Sequence, residues 1–174
     1  MNFADTNWLE AMYFAPLDDD PEGQKRRRLV ERFGRMHGQR LGVCALVYCE
    51  ARNVFSRIAR QPEPPEWAEL EADKGGLLFV DPLDWDLTRR DAFTLFARYS
   101  HRIPLGTLDA AILAASRLGG AERLLTFDDT LAAVAVAEGL EVFPPLTDKG
   151  EALLARARSS LPPAPPNRKG RSVR

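Results

Sequence analysis

The stretch Gly106–Phe143, GTLDAAILAASRLGGAERLLTFDDTLAAVAVAEGLEVF, decides the fold. Thr107–Leu118 reads as a helix that stops at Gly119-Gly120, a strong C-terminal signal. Arg123–Phe127 reads as a strand, Thr130–Glu138 as a helix closed by Gly139, and Glu141–Phe143 as a last strand. Helices alternating with short apolar strands imply a parallel sheet covered on both faces. In such sheets ligands bind beyond the carboxyl ends of the strands.

The same alternation extends toward the N-terminus. Asn2–Ala4 is a short strand followed by a helix over Thr6–Ala15. Leu29, Val30, Phe33 and Met36 recur at helical spacing inside Lys25–His37, and Leu41–Ala45 is a strand. Val47, Ala51, Val54 and Ile58 mark one face of a further helix. Pro65–Ala72 is a short helix, Leu77–Val80 a strand and Trp85–Tyr99 a helix. The Asp- and Pro-bearing stretch Pro16–Lys25 and the Pro-rich Gln61–Pro65 read as loops. Residues 159–174, with four prolines, four basic residues and no acid, cannot build a core and read as a disordered tail. The domain is therefore expected to be 1–158.

The 174 residues carry 24 Lys plus Arg against 25 Asp plus Glu, a net charge of −1. That total excludes a uniformly basic nucleic-acid binder. It is a cancellation, because residues 1–158 hold 20 bases against 25 acids while the tail is purely basic. No apolar run approaches the ~20 residues of a membrane span, and MNFADTNW lacks the features of a signal peptide. Cys44 and Cys49 have no metal-ligand spacing and read as buried, reduced thiols of a cytoplasmic protein. His37 and His101 read as surface or helix-end residues, and Trp8, Trp67 and Trp85 as packing anchors. The runs Asp18-Asp19-Asp20 and Asp81/Asp84/Asp86 fall in loops and read as solvated surface.

Four acids stand out. Asp5 and Asp128 each follow a strand, where an acid also serves as a helix N-cap. Asp109 lies in the first turn of its helix, where the dipole favours it by about 0.3–1 kcal/mol. Glu50 falls between Val47 and Val54, on or beside the apolar face, where a carboxylate must be paired, protonated or metal-bound. A salt bridge to an arginine is the plain alternative for Glu50. Asp5, Asp109 and Asp128 fall on one rim of the sheet, and Glu50 on a helix that leaves the same rim. Gathered carboxylates repel, and they are the usual ligands of Mg²⁺ or Mn²⁺, which activate water and stabilise a phosphodiester transition state.

The sequence resembles a PIN domain of the kind found in VapC toxins of type II toxin–antitoxin modules. MNFADTNWLEAMYF is similar to the family's opening strand, first acid and helix. LVYCEARNVFSRI is similar to the helix bearing the second acid. Gly106–Phe143 is similar to the segment with the third acid on a helix start and the fourth in a Thr-x-Asp pattern, here Thr126-x-Asp128. The resemblance covers roughly 1–145. It implies a three-layer α/β/α sandwich around a mostly parallel sheet of four to five strands. It also implies an acidic quartet of Asp5, Glu50, Asp109 and Asp128 that holds one or two Mg²⁺ or Mn²⁺ ions and cuts RNA. Asp129 is a weaker match than Asp128. A VapB-like antitoxin and a homodimer are implied as partners.

Residues 25–40 hold seven bases against Glu31 alone. The stretch reads either as a solvated helix face or as a phosphate-contacting stripe in which Arg26, Arg27 and Arg28 bind substrate. The competing functional classes are a catalytically silent protein-binding module and a nuclease of RNA processing outside any toxin role.

Overall fold

The computed structural model describes residues 1–38 and 40–159. Five strands, β1 (Asn2–Ala4), β2 (Leu41–Cys44), β3 (Leu78–Asp81), β4 (Arg123–Leu125) and β5 (Glu141–Phe143), form one sheet in the order β3-β2-β1-β4-β5. Every pairing is parallel, with Phe3 opposite Gly42 on one side and Leu124 on the other. The helices are α1 (Thr6–Tyr13), α2 (Pro21–His37), α3 (Ala45–Ala59), α4 (Pro65–Asp73), α5 (Trp85–Tyr99), α6 (Thr107–Leu118), α7 (Asp129–Ala137) and α8 (Asp148–Ser159).

The three layers follow from alternation along the strands. Phe3 and Leu124 enter a core shared with α5, α6, α7 and α8. Ala4 and Leu125 enter the other core, with Trp8, Phe33, Val47, Phe55 and Leu70 from α1 to α4. Parallel strands buried on both faces need this double cover. From β1 the chain reaches β2 and β3 on one side and β4 and β5 on the other. The sheet order therefore reverses between β1 and β4, which opens a crevice at their carboxyl ends.

Several expected boundaries move. The loop Pro16–Lys25 is shorter, because α2 starts at Pro21 with Asp20 as its cap, Oδ1 accepting Gly23 N–H at 2.9 Å. An Asp-Pro pair that resembles a turn is here an N-cap followed by proline in the first helical position. The first helix ends at Tyr13 rather than Ala15. The buried face of α3 is Val47, Ala51 and Phe55, and Ile58 turns out to solvent. Cys44 is buried as expected but Cys49 is exposed, and Trp85 is exposed rather than a packing anchor. No element was visible in the sequence after Phe143, yet α8 packs Leu153, Leu154 and Ala157 into the core beside α7. Apart from Ser159, the expected tail lies outside the described residues.

At the far end of α7, Glu138 ties three helices. Its carboxylate is 3% exposed and pairs with Arg98 and Arg117, each at 2.9 Å. The Tyr99 hydroxyl donates to Glu138 Oε1 at 2.5 Å.

Candidate active site

Asp5 leaves β1 with its N–H on Leu125 O at 2.9 Å, so the β1–β4 pairing fixes its backbone. The side chain is 5% exposed. Oδ1 accepts Thr6 N–H at 2.7 Å, and Oδ2 accepts Asn7 Nδ2 at 2.7 Å and the Thr126 hydroxyl at 2.8 Å. Asp5 thus caps α1 and faces the crevice as well. Thr126 Oγ1 also accepts Asp128 N–H at 3.0 Å and Asn7 Nδ2 at 3.3 Å. Asn7 Oδ1 accepts Phe127 N–H at 2.9 Å. This network is why β4 ends at Leu125 instead of continuing to Phe127.

Glu50 is half-buried on α3 and accepts the Thr6 hydroxyl on Oε2. The arginine salt bridge that would explain it away is absent among the described residues. Asp109 lies in the first turn of α6, whose cap is Gly106. Its carboxylate folds back onto Gly106, where an added Cβ would come within 2.5 Å of Asp109 Oδ2. Asp128 caps α7, accepting Leu131 N–H at 2.7 Å. Capping and crevice placement coincide at Asp5 and Asp128.

The charges of neighbouring acids reach Asp5 and Asp109. Burial raises the Asp5 carboxyl to about 6; the Thr126 and Thr6 hydrogen bonds oppose this, and the charges of Glu50 and Asp109 add to it. Burial also raises Asp109, reinforced by Asp128 and Glu50 against a backbone hydrogen bond at Gly106. Cys44, at the end of β2, has its thiol pushed up by burial and by the nearby Asp5 charge.

Among the described residues, no Lys or Arg forms an ion pair with Asp5, Glu50, Asp109 or Asp128. Nor do three metal-ligating side chains close into one cluster among the described residues. Each acid is held instead by a local donor, as expected when like charges share a crevice without a cation. Hard oxygen donors with uncompensated negative charge fit a hard divalent cation such as Mg²⁺ or Mn²⁺. Asp129 is turned away, bonded to the Thr147 hydroxyl at 2.6 Å and paired with Lys149 at 3.4 Å.

The arginine triplet separates. Arg26 lies over the Phe127 ring, 5.3 Å from its centroid, at the border of the crevice. Arg27 instead ties α2 to α1, donating to Met12 O and pairing with Glu31 at 3.3 Å. Arg28 is exposed. Asp20 and Asp84 serve as helix caps, outside any metal-ligand cluster. Sequence pattern marked the acids and Thr126. Thr6 and Asn7 belong to the motif of the first acid, but their contacts were not legible, because these reach from α1 to Glu50, 44 residues on, and to Phe127, 120 residues on.

A five-stranded parallel sheet with acids on the elements around its reversal point is the architecture of an α/β protein. The PIN domain family model matches residues 3–137, and the chain belongs to that family. Among solved structures the chain is similar to the toxin VapC20 of Mycobacterium tuberculosis, which cleaves the sarcin–ricin loop. The TM-score is 0.59 at 20% identity, covering 77% of this chain and 95% of VapC20. No curated protein matches the chain. No helix among the described residues is long and apolar enough to cross a membrane.

Proposed function

We propose that the protein is an endoribonuclease dependent on Mg²⁺ or Mn²⁺, the toxin of a type II toxin–antitoxin module, acting in the cytoplasm. The observation that supports this reading is that Glu50 and Asp109 bear on the Asp5 charge, and Asp128 and Glu50 on that of Asp109, with no cationic partner for any of the four among the described residues. The likeness to VapC20 supports RNA as substrate and a VapB-like antitoxin as partner. Residues 1–158 form the nuclease domain, and the working form is a homodimer.

Asp5 and Asp109 are the main ligands in this reading, with Asp128 and Glu50 completing the set. The bound ion supplies Lewis acidity that activates water and offsets charge on the phosphodiester. Thr126 and Asn7 fix the Asp5 carboxylate, leaving one orientation toward the crevice. Thr6 does the same for Glu50. A carboxylate not needed as a ligand accepts the proton of the attacking water. The packed crevice holds these groups before substrate arrives, so reorganisation is small.

The test is cleavage of a mixed RNA substrate with and without Mn²⁺, using Asp109→Asn as control. Cleavage should require Mn²⁺ and vanish in the variant. A chain that neither cuts RNA nor binds Mn²⁺ in calorimetry is instead a silent protein-binding module.

A further inference from the structure

Phe127 contacts both an indole ring and a guanidinium. One face meets Trp8, with ring centroids 5.2 Å apart and planes 17° from parallel. The guanidinium of Arg26 lies over the ring at 5.3 Å. Trp8 is 1% exposed and wedged by Phe33 and Phe143, so the platform is rooted in the core. The Phe127 N–H is held by Asn7, the residue that also bonds Asp5, and the next residue is Asp128. The stack therefore shares its backbone with the carboxylate crevice.

Arg26 is only loosely tied otherwise. Its Nε lies 3.4 Å from Glu22, with both side chains partly exposed, a contact of little strength. Nη1 and Nη2 bond no acceptor among the described residues. Stacking on an aromatic face leaves the edge donors of a guanidinium available for bidentate phosphate binding. Arg26 itself lines a groove of about 530 Å³, together with Asn7 and the acids Glu10, Asp20, Glu22 and Glu66. Those acids repel a phosphodiester, and Arg26 is the one cation among the described residues lining the groove that attracts it.

Resting on the nuclease reading, we propose that Arg26 binds a substrate phosphate adjacent to the scissile bond and that Phe127 is the positioning residue holding its guanidinium there. Arg27 and Arg28 take no part.

The experiment uses the full chain carrying Asp109→Asn, with binding of a fluorescein-labelled single-stranded 12-nucleotide RNA followed by anisotropy across a salt series. Arg26→Gln should weaken binding about five- to tenfold and reduce the log–log salt slope by about 0.7, the value for one contact to a single strand. Phe127→Leu should weaken binding about threefold, Phe127→Tyr should restore it, and Phe127→Leu should add nothing in the Arg26→Gln background. An unchanged slope in Arg26→Gln, an equal effect of Arg28→Gln, or a Phe127→Leu loss that persists in full without Arg26 overturns the assignment. If the unmodified chain binds and cuts RNA, such a result leaves the nuclease reading standing. A chain that never binds RNA removes both.

Discussion

The Thr126 hydroxyl donates to Asp5 Oδ2 at 2.8 Å across the β1–β4 pair, and Thr126 Oγ1 in turn accepts the Asp128 N–H at 3.0 Å. One buried hydroxyl, 2% exposed, thereby couples two of the four acids. Thr126→Val keeps the shape and removes both bonds. The Asp128 N–H loses its acceptor and the Asp5 carboxylate loses its strongest stabilising contact. Loss of a partner that orients a ligand lowers metal affinity by about 10–100-fold. Calorimetry with Mn²⁺ should show a drop in that range, and urea unfolding a cost of about 1–3 kcal/mol. Affinity equal to wild type would show that Thr126 does not orient the site.

Gly106→Ala tests Asp109 without touching it. Gly106 has φ −68° and ψ 152°, a backbone any residue adopts. The added methyl meets only the Asp109 carboxylate, at 2.5 Å from Oδ2 and 3.3 Å from Cγ. A carboxyl group swings aside easily, so stability should change by less than about 1 kcal/mol, with reduced chain entropy on unfolding favouring alanine. Mn²⁺-dependent RNA cleavage should fall at least tenfold. Full activity in a stable Gly106→Ala protein would count against Asp109 as a site residue.

The parallel sheet and most helices were legible because their apolar spacings are local, whereas the strand order β3-β2-β1-β4-β5 rests on pairings distant in sequence. Asp5, Asp109 and Asp128 stood out as candidates because strand ends and helix starts can be located from those spacings, and Glu50 because it falls beside the apolar face of α3. What stayed hidden depends on distance in sequence. Glu50 shares one charged environment with Asp5 and Asp109 only after three elements converge. Arg26 and Arg27 are neighbours in sequence, yet helical geometry sends one over Phe127 and the other to Met12. The start of α2 was misplaced because Asp20-Pro21 suits a turn and a cap equally well. α8 was missed because its apolar face is short and it follows Pro144-Pro145.

Asp5 makes stability depend on pH in a definite direction. Its carboxyl is raised from 3.8 to about 6 in the fold. Between those values the native protein holds a proton that the unfolded chain has released. The stability associated with that proton is full below pH 3.8 and is lost as pH rises through about 6, by at most ~3 kcal/mol. Asp5→Asn should flatten this part of the profile in urea unfolding at pH 4, 5, 6 and 7. Mn²⁺ at one hundred times its Kd should restore about 2.7 kcal/mol to the wild type at pH 7. It should restore less at pH 5, where protons compete for the site. A wild-type profile that rises between pH 4 and 6 in the same degree as Asp5→Asn would contradict the buried state of this acid.

Glu138 separates stability from function. It caps the far end of α7, away from the acids that open α6 and α7. Glu138→Ala removes the shared partner of Arg98 and Arg117 and leaves the Tyr99 hydroxyl without its acceptor. Breaking a fully buried pair costs about 3–5 kcal/mol. Here the two arginines are 46% and 29% exposed and regain water, so the expected loss is nearer ~2–3 kcal/mol. Because the carboxylate itself is 3% exposed, 0.5 M NaCl should recover little of the difference between wild type and variant. RNA cleavage per folded molecule, measured well below the variant's unfolding temperature, should match wild type. A variant of unchanged Tm would show that the three helix ends hold together by their apolar contacts alone. A folded variant with impaired cleavage would show instead that the α7 C-terminus transmits strain to Asp128.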